Sequence, residues 1–141
     1  MNIPKKGAFT LIEIMVVVFI IGLLVALVGP GIMEKLGRGE IGAAKGRMAN
    51  LKGDILRYRM DMGRFPSAKE GLAGLAKNVT NSNRWQGPYH PEEVPMDPWS
   101  REYIYNSPPV EFKDKYKYFE LISYSKDGEA TPKEKWLHTG D

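Results

Sequence analysis

One carboxylate needs a chemical account before any other residue. Between Ala8 and Val28 only Thr10 and Glu13 are polar, and residues 14–28 form an unbroken run of fifteen apolar or glycine residues. Keeping an ionised carboxylate in hydrocarbon costs on the order of 2.5–3.5 kcal/mol at a helix centre and somewhat less near its end. Such a group requires a positive partner, yet the span holds no basic residue. Either Glu13 sits at the interface or is protonated, or a positive charge is made after synthesis, by cleavage that creates an α-amino group about one helical turn earlier. Other reactive side chains are sparse. Cysteine is absent, which removes thiol nucleophiles, disulfides and Cys-ligated zinc. His90 and His138 are the only histidines. No serine, histidine and carboxylate stand at a recognisable spacing, and no phosphate-binding glycine loop followed by Lys and Ser/Thr is present. A membrane-anchored enzyme is therefore not the expected class.

The elements that must position Glu13 follow from the same patterning. The chain has 141 residues, 43% hydrophobic and 26% charged, which suits one folded domain. Residues 9–29, as a helix, would extend about 31 Å and match the ~30 Å hydrocarbon thickness of a bilayer. Lys5 and Lys6 precede the span, so the positive-inside rule leaves Met1 in the cytoplasm and carries everything after Pro30 across the membrane. Cleavage of a secretory signal at the far end is a poor fit, because Val28-Gly29-Pro30-Gly31 follows the apolar run. Roughly 110 residues remain for a small water-facing head.

Beyond the span, Ile41, Ala44, Met48, Leu51, Ile55, Tyr58 and Met62 recur at steps of three and four, one apolar stripe on a helix that should pack on a small sheet. Gly29, Pro30, Gly31, Gly37, Gly39, Gly42 and Gly46 weaken the join between the two helical halves, since interior glycine costs about 1 kcal/mol relative to alanine and proline removes a backbone hydrogen bond. Gly63 and Pro66 stop the long helix, and Ser67-Ala68-Lys69-Glu70 reads as a capping box opening a short helix through about Lys77 with Leu72 and Leu75 inward. A loop follows over residues 78–98, with Trp85, Tyr89 and Trp99 as anchors. Tyr103 to Tyr105, Tyr116 to Tyr124 and a short stretch at Trp136 to His138 read as strands of an antiparallel sheet. The chain carries a net charge of +3, and the excess is concentrated between Glu34 and Arg64, where eight basic residues face four acidic ones. A charge-laced helix face beside a membrane accounts for that excess better than nucleic-acid binding does.

Lys5-Lys6-Gly7-Ala8-Phe9-Thr10-Leu11-Ile12-Glu13 resembles the prepilin cleavage motif of type IV pilins and type II secretion pseudopilins. The family has glycine immediately before the phenylalanine, whereas here Ala8 intervenes after Gly7; cleavage between Ala8 and Phe9 keeps Glu13 at the family's offset, and Gly22 and Pro30 then fall where family members have glycine and proline. Tyr58-Arg59-Met60-Asp61-Met62-Gly63-Arg64-Phe65-Pro66-Ser67, with Glu70-Gly71-Leu72, is similar to the end of the long helix in major pseudopilins. Met96-Asp97-Pro98-Trp99 followed by Tyr103 is similar to their Asp-Pro-Trp loop. The match weakens at the end. Major pseudopilins hold calcium in a C-terminal loop that opens Ser-x-x-x-Asp-Gly and continues with acidic residues. Here Ser123-Tyr124-Ser125-Lys126-Asp127-Gly128 keeps the opening, but the next residues, through Lys135, lack the later aspartates.

The resemblance implies an α+β, type IV pilin-like fold: a long N-terminal helix, membrane-spanning in its first half, on a small antiparallel sheet. The expected divisions are a leader over residues 1–8, a membrane and filament-core helix over 9–29, an amphipathic half over 30–62 and a head over 63–141. It implies a non-enzymatic pseudopilus subunit, cut by a prepilin peptidase between Ala8 and Phe9, methylated at Phe9, and joined to its neighbours through Phe9 and Glu13, with the helix break at Pro30. Implied partners are copies of the same chain, minor pseudopilins, and an inner-membrane assembly platform with its ATPase. The subunit would reside in the inner membrane with its head in the periplasm. No cofactor is expected; Asp127 is the candidate calcium ligand, and binding there is expected to be weak or absent. The alternative is a type IV pilus or DNA-uptake pilin, with nucleic acid an unfavoured partner.

Overall fold

The computed structural model describes residues 9–91 and 93–141. In chain order the elements are helix α1 (Leu11–Met62), helix α2 (Ala73–Ala76), strand β1 (Ile104–Asn106), strand β2 (Glu120–Ser123), a 3-10 turn (Lys133–Lys135) and strand β3 (Leu137–Gly140). The three strands form one antiparallel sheet in the order β1-β2-β3, with Ile104 opposite Ile122 and Ile122 opposite His138. The α+β expectation holds. The chain divides into two compact units at Gly39 and Glu40.

In the second unit the stripe read from the sequence is the core face of α1: Ala44, Met48, Leu51, Ile55, Tyr58 and Met62 are buried, and only Ile41, at its end, is exposed. Met48, Leu51, Ile55, Tyr58 and Met62 cluster with Leu72, Leu75, Tyr89, Tyr103, Phe119 and Leu121, and β2 is buried along its whole length. The helix stripe and Leu121 of β2, with Tyr105 and Leu137 packed against them, thus share one interior, a 3.6-residue period meeting a 2-residue one.

Two carboxylates organise the turns around this core. Glu70 is buried. Its Oε2 accepts hydrogen bonds from the Ser67 backbone N–H at 2.7 Å, the Ser67 hydroxyl at 2.6 Å and Arg64 Nη1 at 2.6 Å, and its Oε1 accepts from Tyr58 at 2.7 Å and Arg64 Nη2 at 2.9 Å. The Ser67–Glu70 capping box is therefore formed, but the helix does not run from it. Gly71 at φ +53 turns the chain into the left-handed region, so Ser67 to Leu72 form turns and only Ala73–Ala76 are helical. At the end of α1, Gly63 adopts φ +74 and donates its N–H to Arg59 O at 2.8 Å, the helix stop read from the sequence.

Glu120 is fully buried, and its carboxylate accepts the backbone N–H groups of Val110 at 2.9 Å, Glu111 at 2.8 Å and Phe112 at 2.7 Å, together with Asn106 Nδ2 at 2.7 Å. The long strand expected over Tyr116 to Tyr124 is shortened to Glu120–Ser123 for a related reason. The N–H groups of Lys117, Tyr118 and Phe119 donate to the Asp141 carboxylate, so they are satisfied without a neighbouring strand. The remaining strands fall within two residues of their expected positions.

Candidate functional site

Ala8 and the rest of the leader lie outside the described residues. Phe9 stands 75% exposed just before α1, with Glu13 four positions later. The start of the helix is a capping box: the Thr10 hydroxyl accepts the Glu13 N–H at 3.3 Å, and Glu13 Oε2 accepts the Thr10 N–H at 3.4 Å. Glu13 is thus more than a carboxylate in hydrocarbon: it is also half of a helix cap. The Thr-x-x-Glu spacing ahead of an apolar run was the signal for this second role. In the chain alone both bonds are long and the site is exposed, so the cap holds Glu13 near the helix start without consuming it.

From Leu11 onward the helix surface is apolar on every side and open. Leu11 is 81% exposed, Phe19 71% and Leu27 72%, and the most apolar window of the helix has none of its residues buried. An apolar helix of this length left open needs hydrocarbon or other apolar helices around it, because each exposed aliphatic side chain forgoes about 1.5–3 kcal/mol of burial. Pro30 does not interrupt it. In the single chain the helix continues past Pro30 and past Gly31, Gly37 and Gly39: one missing N–H deletes a single rung, and the turns on each side keep theirs.

The Asp-Pro-Trp loop is a hub in the head. Asp97 is buried; its Oδ1 accepts the backbone N–H groups of Trp99 at 3.0 Å and Arg101 at 2.9 Å, while Oδ2 accepts the Ser123 hydroxyl at 2.7 Å. Trp99 is half-buried rather than a core ring, and its indole N–H donates to Glu40 Oε2 at 3.0 Å, tying the loop to the first residue of the head's helix. Arg47 Nη1 adds a bond to Met96 O at 2.7 Å. Trp85, also half-buried, donates its indole N–H to Gly74 O at 2.9 Å.

In the C-terminal loop the backbone oxygens face a guanidinium. Calcium takes six to eight oxygens, with carboxylates setting its affinity. Asp127 is exposed. The carbonyls of Ser125 and Lys126 accept hydrogen bonds from the Arg101 guanidinium, and Lys133 pairs with Glu111. Among the described residues no three His, Cys, Asp or Glu side chains gather as a metal-binding group. The donor set fits a guanidinium and not a divalent ion. The two histidines serve side-chain pairings, His90 Nδ1 with Asp54 Oδ2 at 2.7 Å and His138 Nδ1 with the Tyr116 hydroxyl at 2.9 Å.

A long amino-terminal helix, bare and apolar at first and then packed on a three-stranded antiparallel sheet, defines the type IV pilin-like class. Residues 31–137 match the family described as "Type II secretion system (T2SS), protein G", and residues 3–29 match the prokaryotic N-terminal methylation motif. The chain is 34% identical over 127 residues to the type II secretion system core protein G of Pseudomonas aeruginosa, covering 88% of this chain and 86% of that one. It is 30% identical over 131 residues to the core protein G of Escherichia coli, covering 89% and 85%. The crystal structure of the major pseudopilin from the type 2 secretion system of enterohaemorrhagic Escherichia coli has the same fold, with a TM-score of 0.60 and 22% identity over 76% of this chain and 91% of that one. The chain belongs to the type II secretion system protein G family, the major pseudopilins.

Proposed function

We propose that this chain is the major structural subunit of a type II secretion pseudopilus. It would be held in the inner membrane by residues 9–29 with its head in the periplasm, and polymerised to drive export of folded proteins. The observation that supports this reading best is the bare apolar surface from Leu11 to Val28, which is stable only in a bilayer or in a bundle of like helices. A prepilin peptidase cuts between Ala8 and Phe9; the new amino group, methylated at Phe9, then lies one turn from Glu13 of a neighbouring subunit. The subunit itself does no catalysis. Its partners are further copies of itself, minor pseudopilins, and an inner-membrane platform whose ATPase supplies the energy.

Pro30 and the glycines around it are the segment that would unwind when subunits pack, and Glu40, pinned by Trp99, marks where the firmly packed helix resumes. Nucleic acid is not a partner in this reading. Of the eight basic residues between Lys35 and Arg64, Arg38 pairs with Glu34, Arg47 with Met96 O, Arg57 with Asp54, Arg59 stacks on the Phe65 ring at 4.7 Å and Arg64 pairs with Glu70. Three of the eight are thus held by carboxylates of the same chain, and two more by a carbonyl and an aromatic ring.

The test is Glu13→Ala in cells. Removing the carboxylate relieves the cost of a charge in hydrocarbon, so the amount of membrane-inserted subunit should hold or rise. It also strands the neighbour's ammonium in an apolar filament core, a loss of about 3–5 kcal/mol for a broken buried pair, so sheared filament yield should fall at least about tenfold. Undiminished filament yield refutes the pairing.

A further inference from the structure

The C-terminal loop of the head carries its own cation. Arg101 is anchored through its backbone, which donates to Asp97 Oδ1 at 2.9 Å and accepts the Asp97 N–H at 2.7 Å. Its side chain reaches the opposite wall, donating from Nη1 to Ser125 O and from Nη2 to Lys126 O at 3.2 Å. Gly128, at φ +83, brings the returning backbone against the same group: a Cβ at that position would sit 3.5 Å from Arg101 Cζ and from both terminal nitrogens. Two further ties close the loop, Ser123 Oγ to Asp97 Oδ2 at 2.7 Å and Thr131 Oγ1 to Gly128 O at 2.7 Å.

We propose that the Arg101 guanidinium is a tethered substitute for a divalent cation in this loop, so that the head of this subunit folds and stays folded without calcium. Charge balance supports the assignment. Residues 123–135 contain three lysines, Lys126, Lys133 and Lys135, and three carboxylates, Asp127, Glu129 and Glu134, so the loop is neutral before Arg101 is added. One guanidinium leaves a single positive charge, delocalised over a planar group suited to paired carbonyl oxygens; a divalent ion in addition would raise that excess to three, and Glu111, which reaches the loop from outside, is already paired with Lys133. A tethered cation also has no dissociation equilibrium, so the loop's order does not follow the ion content of its surroundings. The inference rests on the pseudopilus reading only for the expectation of calcium, and its test involves no filament.

The test uses the full chain in detergent micelles, melted with chelator and with millimolar calcium chloride while tryptophan fluorescence is followed. The unaltered chain should give the same midpoint in both. Arg101→Gln, which keeps a donor but not the charge or the fork, should melt several degrees lower in both, and Arg101→Lys should recover part of the loss. A calcium-induced rise of several degrees in the unaltered chain overturns the proposal, as does Arg101→Gln melting with the unaltered chain. If Arg101→Gln gives no folded head, terbium titration of the unaltered chain decides: no saturable sensitised luminescence upholds the assignment, and a saturable signal overturns it.

Discussion

Replacing Glu70 with alanine removes the acceptor on which three side chains and one turn converge. Tyr58, 1% exposed, keeps its hydroxyl in the core with nothing to donate to, and an unpaired buried donor costs about 1–3 kcal/mol. The Ser67 turn loses both of its bonds to the carboxylate, a capping loss of about 1 kcal/mol. Arg64 is 45% exposed and recovers water, so its bidentate pair adds at most about 1 kcal/mol. The sum is roughly 2–5 kcal/mol, and a head of this size shifts about 4–8 °C per kcal/mol, so the midpoint should fall by at least about 8 °C. All three tryptophans, Trp85, Trp99 and Trp136, belong to the head, so fluorescence of the full chain in micelles reads head unfolding directly.

The loss should also depend on pH. Hydrogen bonds from Arg64, with those from Ser67 and Tyr58, outweigh burial and hold the Glu70 carboxyl well below its ordinary value of 4.5, while burial and the bond to Glu70 push Tyr58 up to about 12. The unfolded chain therefore binds the Glu70 proton more readily than the folded one. Its stabilisation is complete above the ordinary carboxylate range and is lost as pH falls through 4.5 toward the folded value. The gap between the unaltered chain and Glu70→Ala should be widest near neutrality and narrow on acidification. A midpoint shift below about 3 °C at neutral pH, or a gap that widens in acid, refutes the account.

Glu120→Gln should destabilise the head by at least about 2 kcal/mol in urea titrations, because an amide presents its own donors to a pocket built from three backbone N–H groups. Burial pushes the Glu120 carboxyl up, but the bonds from Glu111, Asn106, Val110 and Phe112 outweigh it and hold it below the ordinary range, so this stabilisation too is lost on acidification and the variant should show a shallower acid decline. Mass spectrometry of subunit purified from cells should give a mature chain beginning at Phe9 and heavier by one methyl group; a chain beginning at Met1 or Ala8 refutes the cleavage register.

What the sequence determined alone is whatever depends on local order. The apolar run, the anomalous Glu13 and the stripe from Ala44 to Met62 are one-dimensional patterns, and the helix that carries them is held by bonds between residues four apart. Gly63 was legible in the same way, since a helix stop is a local conformational requirement. The Thr10–Glu13 cap is local in the same way, a Thr-x-x-Glu spacing ahead of an apolar run.

Tertiary structure decided everything in which a polar group finds a partner far along the chain. Glu120 reads as a solvated strand residue until the fold closes residues 110–112 over it, and Lys117 to Phe119 read as strand until the Asp141 carboxylate accepts their own N–H groups. Trp99 looked like a core ring, and only the fold brought Glu40 within reach of its indole N–H. Arg101 carried no signal at all: its guanidinium acquires a role because Asp97 fixes its backbone on one side and the Ser125–Gly128 turn arrives on the other. Periodicity records which face of an element is buried, but burying a charge makes its partner obligatory, and in a fold with a three-stranded sheet that partner is as often a distant backbone group as a neighbouring side chain.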